Sequence, residues 1–289
     1  MKKVLVLIAT ALMLVSYTAD AKKKANSELK VMSYNIRLGV GKDGSNAWEF
    51  RAPATIEMIT VQKPDVFGVQ EAYDFQIDYI SQNCKDYGVV GVGREDGVEK
   101  GEHMSVFWNK KRVKLIKWGT FWLSETPEVP SKGWDADCKR TATWALMYDR
   151  QTGKKFYFVN THLDHIGAEA QKNGLRLIVD RIDSINLEGY PTVLTGDFNI
   201  TPDHSALLEL ESKMECTRTI ATITDDINTY NAWSDKRTHL IIDYIYVSGF
   251  KSCLEYKTVT DRYADRPFVS DHYPITSRLV FGSKEKVGW

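Results

Sequence analysis

Six times along this chain a strand-like run ends on a carboxylate, an amide or an imidazole, and that recurrence is its strongest constraint. The runs close on Asn35, on Glu71, on His162 with Asp164, on Asp197 with Asn199, on Asp243, and on Asp271 with His272. One polar strand end is ordinary loop chemistry. Six of them ask for a fold that gathers strand ends in one place. The densest is Thr192 to Asn199, where Val193 and Leu194 read as a buried strand. Gly196 is expected to let the backbone turn, so that Asp197 and Asn199 project on one side of Phe198. A carboxylate and a carboxamide two residues apart supply an acceptor that aligns a water and a donor that holds an oxyanion. The plainer reading is a turn that needs Gly, Asp and Asn for their backbone preferences.

The remaining elements alternate between sheet and helix patterns. Leu29 to Arg37 reads as a strand, and Ala54, Ile56 and Ile59 predict a helix that Lys63-Pro64 ends. Val66 to Val69 follows as a buried strand and Asp74 to Cys84 as a second helix. Four β-type runs come next, near Gly88 to Gly93, Met104 to Trp108, Val113 to Leu123 and Thr141 to Tyr148, with a long loop from Ser124 to Lys139 before the last. Phe156 to Asn160 is a strand that delivers Thr161 to His165, and Leu175, Ile178, Ile182 and Ile185 give Ala168 to Ile185 a single apolar helical stripe. Ser205 to Leu210 reads as a short helix, Ile241 to Val247 as a strand, and the segment from Val269 to Ile275 turns into a last strand. Ser33 to Ile36 and Asp197 to Ile200 both carry an aromatic, Asn and Ile at a strand end, as two facing half-sheets would.

The N-terminal segment and the charge narrow the function classes. Met1-Lys2-Lys3, the apolar run Val4 to Val15 and the small residues around Ala19 to Ala21 have the form of a secretory signal. The run is shorter than the roughly 20 residues that span a bilayer, so residues 1–21 are expected to be a cleaved signal, and 22–289 one exported domain, periplasmic or extracellular. Basic and acidic residues balance at 38 each, with no concentrated basic stripe, which disfavours nucleic acid as the main partner. Cys84, Cys138, Cys216 and Cys253 lack metal-site spacing, and sequence leaves open whether any of them pair.

Taken as an ordered set, YNIR, GVQEA, THLDH, TGDFN, IDYIYVS and SDHYPI resemble the endonuclease/exonuclease/phosphatase superfamily. The resemblance runs from about Val31 to the last strand, and the loop around Arg140 resembles exported bacterial and nocturnin-like members more than deoxyribonucleases. It implies an α/β four-layered sandwich of two facing mixed β-sheets flanked by helices, of the deoxyribonuclease-like kind. It also implies a magnesium-dependent hydrolase, manganese being the alternative ion, that acts on a phosphate mono- or diester. Carboxylates and amides without clustered Cys or His suit such a hard cation.

Residue by residue, the resemblance implies Glu71 as principal metal ligand, with Asn35 beside the metal and Asp271 near it. Asp197 would position or deprotonate the attacking water, and Asn199 and His162 would contact a phosphate oxygen. Asp243 would orient His272 as a carboxylate–imidazole pair. Glu102 is similar to the glutamate that partners a histidine in some members, and Asp164 with His165 is read as contacting substrate or a second ion, or as helix-start chemistry. Arg140 is expected to hold a phosphate oxygen, and Trp134 to stack on substrate or serve the loop alone. The Pro-Ala-Trp-x-Asp-Arg element of inositol polyphosphate 5-phosphatases is absent, the equivalent region reading Thr238 to Asp243. Phosphorylated small molecules or lipid headgroups are the expected substrates, and oligomeric state is unspecified. The rival readings are a secreted DNA or RNA nuclease and a non-catalytic binder of phosphorylated ligands on the same scaffold.

Overall fold

The computed structural model describes residues 28–234, 236 and 240–282. The expected signal segment, 1–21, lies outside the described residues, as do Thr238 and His239. Among the described residues twelve strands form two six-stranded sheets. In the first, β1 (Glu28–Asn35) pairs in parallel with β2 (Val66–Gln70), which is followed outward by β4 (Val106–Asn109) and β3 (Tyr87–Val90). On its other side β1 meets β12 (Ile275–Phe281) and then β11 (Phe250–Thr258), both antiparallel. The second sheet runs β5 (Val113–Trp122), β6 (Thr141–Asp149), β7 (Lys154–His162), β8 (Thr192–Asp197), β10 (Asp243–Ser248) and β9 (Glu215–Cys216), with β7 and β8 parallel.

Period-2 side-chain alternation gives each sheet two apolar faces and hence four layers. Val31, Val66, Phe158, Val193 and Ile245 meet between the sheets. Met32, Tyr34, Phe67 and Val69 point the other way, onto α1 (Trp48–Gln62) and α2 (Asp74–Asn83). Val159, Leu194 and Phe198 pack outward under the stripe of α3 (Ala168–Ile185) and the short α4 (Leu207–Glu211). The structure is thus the expected sandwich of two mixed sheets flanked by helices.

The same alternation builds the site in tiers. Two residues beyond Val31, Val66, Phe158 and Val193, the inter-sheet positions become Ser33, Gly68, Asn160 and Thr195. Asn160 donates to the carbonyls of Val69 (2.8 Å) and Ser105 (3.1 Å) and accepts from Gln70 Nε2 (2.6 Å) and Thr195 Oγ1 (3.1 Å), so a buried amide bolts the sheets together. Gly68 is required beside it, because a Cβ there would overlap the Asn160 carboxamide. Two residues further on, the strands present Asn35 and Gln70 in one sheet and His162, Asp197 and Asp243 in the other. Hydrocarbon, then amides, then ionisable groups follow one another along a single inter-sheet seam.

Three expectations need correction. Gly196 does not turn the chain: β8 continues through it to Asp197, and its missing Cβ lets the Thr161 carbonyl approach. The turn comes at Asn199, whose φ is 54°. The strand expected to end at Asn160 runs on to His162, keeping that imidazole on the inter-sheet face. β11 was not expected from the sequence. It carries register irregularities between Phe250 and Ser252 and between Cys253 and Glu255, which break the alternation by which a strand is recognised.

Candidate active site

The last tier opens into a cavity of about 630 Å³ at one end of the seam. Behind its lining Asn35 is fully buried and donates through Nδ2 to both Glu71 Oε1 (2.9 Å) and Asp197 Oδ2 (2.9 Å), while its Oδ1 accepts from the Arg37 N–H (3.0 Å). The amide therefore tethers two carboxylates, one from each sheet, with its nitrogen rather than an oxygen turned toward them. Glu71 is fixed a second time by the Leu38 N–H (2.9 Å). Glu71 (φ 61°), Asn199 (φ 54°) and Arg37 (φ 61°) all adopt left-handed backbone that non-glycine residues rarely hold.

Asp243 Oδ2 accepts from His272 Nδ1 at 2.8 Å, which leaves Nε2 turned to Asp197 Oδ2, 3.7 Å away. Burial pulls the His272 pKa down, but the carboxylates of Asp243 and Asp197 outweigh it and drive the net shift upward. Burial, reinforced by the neighbouring charge of Asp243, pushes Asp197 up. On the other flank Asn199 Nδ2 reaches His162 Nε2 (2.9 Å) and the Leu163 carbonyl (3.1 Å). His162 Nε2 also lies 3.5 Å from Asp197, and its Nδ1 is 3.9 Å from Glu102. Burial, with Arg140 and Arg94 nearby, holds His162 well below its ordinary pKa, so this imidazole is neutral.

The remaining expected residues divide. Asp271 lines the cavity, and burial raises its pKa. Glu102 also lines it, in a two-pronged pair with Arg94 (2.9 and 2.8 Å). Arg140 reaches the cavity with Nη2 on His165 Nδ1 (3.1 Å) and Nε 3.5 Å from Asp164. Asp164 itself does not line the cavity. Its oxygens accept backbone N–H groups of Ile166, Gly167, Asp137 and Cys138, so it organises the loop and steadies Arg140 from behind. Trp134 (φ 47°) is a loop residue whose N–H donates to Glu125 Oε2 (3.2 Å), and it does not line the cavity. All four cysteines are free thiols. Sequence reasoning passed over Arg37, Arg94 and Tyr230, which line the same cavity. Arg37 stands inside the YNIR run and was legible there; Arg94 and Tyr230 sit in loops with no periodic signal.

Glu71, Asp197 and His272 each present a ligand atom, and these lie within 4.8 Å of one another. Glu71, Asp197 and Asp271 crowd their charge into one desolvated cluster, a setting that a divalent cation relieves, and their oxygens suit magnesium or manganese rather than a soft metal.

The model of the endonuclease/exonuclease/phosphatase family matches residues 32–272, from the first strand to the histidine of the Asp243–His272 pair. The chain belongs to that family. Among solved members, an endonuclease/exonuclease/phosphatase family protein of Bacteroides thetaiotaomicron is 33% identical, with a TM-score of 0.84 over 89% of this chain and 98% of its own. The mannosyl-6-phosphatase of Bacteroides thetaiotaomicron VPI-5482 is also 33% identical, with a TM-score of 0.84 over 88% of this chain and all (100%) of its own. The catalytic domain of human nocturnin, 18% identical with a TM-score of 0.70 over 89% of this chain and 94% of its own, shares the fold. An uncharacterized protein of Acanthamoeba polyphaga mimivirus is 26% identical over 86% of this chain and 98% of its own length. Within the endonuclease/exonuclease/phosphatase family, then, this member lines one cavity with Glu71, His162, Asp197, Asn199, Asp271 and His272 and sets Asn35 and Asp243 behind them.

Proposed function

We propose that this family member is an exported phosphoesterase, dependent on a divalent cation, that hydrolyses a phosphate ester of a small polar molecule, sugar phosphates first among them. The observation that carries the reading is the Asn35 amide joining Glu71 to Asp197 beside the Asp243–His272 pair, because it collects a cation-holding oxygen, a proton acceptor and an oriented imidazole in one place. Glu71 and Asp271 would hold magnesium or manganese, which when bound supplies a Lewis acid for a phosphate oxygen. The oxygen of a water forms a bond to phosphorus as the ester P–O bond breaks in line with it. One water proton passes to Asp197, which burial makes a better base, and the leaving oxygen takes up a proton to depart as the alcohol. Asn199 Nδ2 donates to Nε2 of neutral His162 and to the Leu163 carbonyl, and a bound substrate would have to draw one of those N–H groups to a phosphate oxygen as charge grows there. No covalent enzyme intermediate is needed.

The cavity volume, about 630 Å³, suits a small ligand. The charge balance and the mannosyl-6-phosphatase activity of a 33% identical neighbour support a small phosphorylated substrate over nucleic acid. The export reading stands on residues 1–21.

The test is a panel of phosphomonoesters and phosphodiesters with purified protein and magnesium, read by released product, beside a plasmid-nicking assay at low salt. Asp197→Ala is expected to lose about 10³-fold or more in turnover. An uncut panel, or a variant as fast as the parent, ends the proposal; nicking in preference to small esters makes the protein a nuclease.

A further inference from the structure

Arg37 follows a strand of the first sheet and Arg140 precedes a strand of the second, so two guanidinium groups come at one cavity from opposite sheets. Arg37 is held in place rather than left to swing. Asp43 grips it through Nε (3.1 Å) and Nη2 (3.0 Å), and its carbonyl accepts from Gln76 Nε2 (3.1 Å). Its left-handed backbone is braced by the Asn35 side-chain oxygen (3.0 Å). Nη1, the nitrogen Asp43 does not engage, lies 3.9 Å from Glu71, and Nε lies 3.7 Å from Asp271. Those separations are too long for hydrogen bonds, so the group stands over the carboxylate cluster with donor capacity unspent. Arg140 is 5% exposed, and its Nη1 has no partner although it is buried. A desolvated guanidinium with an unmet N–H favours an anionic oxygen and penalises a neutral one.

We infer that Arg37 contacts the substrate phosphate and, together with Arg140, selects the terminal phosphate of a monoester over the internal phosphate of a diester. This rests on the phosphoesterase reading above. A terminal phosphate offers three non-bridging oxygens and up to two negative charges. A diester carries one charge, and in place of the third oxygen it has an ester arm that would face one of the two guanidinium groups.

The experiment compares kcat/KM of the purified chain with magnesium on para-nitrophenyl phosphate and on bis(para-nitrophenyl) phosphate, for the parent, Arg37→Gln and Arg140→Lys. The ratio of the two rates is insensitive to the folded fraction, and Arg140→Lys keeps a positive charge against Asp164. The parent is expected to prefer the monoester, and the ratio to fall about tenfold or more in each variant. Inorganic phosphate, read by thermal stabilisation, is expected to protect the parent more than Arg37→Gln. A parent that prefers the diester overturns the inference. So does an unchanged ratio in Arg37→Gln with tighter magnesium binding, which would make Arg37 only a counter-ion for Glu71 and Asp271. If the parent cuts neither these esters nor any of the panel above, the phosphoesterase reading falls by itself. Phosphate protection then decides the anion site: lost in Arg37→Gln it stands, equal in both it is overturned.

Discussion

At the scale of single residues, two carboxylates of similar burial do different work. Asp243 spends its charge on one imidazole, whereas Asp164 spends it on backbone N–H groups. Asp243→Asn keeps the shape and removes the charge that orients His272, so kcat is expected to fall by about 10²–10⁴ with KM little changed. Steady-state kinetics check this, and an equal loss in KM would point to disturbed substrate binding instead. For Asp164, burial pushes the pKa up, but N–H groups of Gly167, Ile166 and Asp137 bring it down from 3.8 to about 2. The folded chain therefore takes up this proton less readily than the unfolded chain. Its stabilisation is complete above about 3.8 and is lost as pH falls through about 2. Urea titrations of the parent and Asp164→Ala should show a stability gap that narrows across that window; a gap indifferent to pH would mean that the charge contributes nothing.

At the scale of elements, the Asn160 bolt is the most exposed to test. Asn160→Ala would remove four hydrogen bonds, although the Ser105 carbonyl keeps the Val69 N–H, Gln70 Nε2 keeps Ser33 Oγ and Thr195 Oγ1 keeps the Val159 carbonyl, at a cost of about 1–3 kcal/mol in unfolding free energy. A urea midpoint close to that of the parent would show that the sheets are held by hydrocarbon contact alone. The bolt also shows what could be read in advance. Strands with unbroken alternation or continuous apolar runs, and the helix with a clean stripe, were legible within a residue or two because each residue's face follows from its parity. Asn35, Glu71, Asp197, Asn199, Asp243 and His272 were legible as candidates because each stands beside or at one end of such a run, although Asp243 opens β10 and His272 precedes β12 rather than closing a strand. β11 was not, since its bulges reset the parity. Asp164 could be read in two ways because a carboxylate after a strand suits both a ligand and a loop brace. Only the tertiary arrival of residues 137 and 138 assigned it to the loop. Arg94 depends on a partner across a loop and leaves no local trace.

At the scale of the whole molecule, the cluster of Glu71, Asp197 and Asp271 should make stability depend on the cation. Magnesium at about 100 times its Kd is expected to add about 2.7 kcal/mol to unfolding, and a chelator to remove it, as read by calorimetric melting. No shift with magnesium or manganese would argue against a cation site among those carboxylates. Secretion of the intact sequence should yield a chain whose first residue, by terminal sequencing, lies near Lys22. No helix among the described residues is long and apolar enough to cross a membrane. The tiered seam has a practical reach. Because oily contacts occupy one end of each strand and charge the other, directed evolution for heat tolerance and for new specificity can draw on separate sets of positions. A library built around Val31, Val66 and Val193 can harden the protein while the chemistry two rungs above is left to a second, independent round of selection.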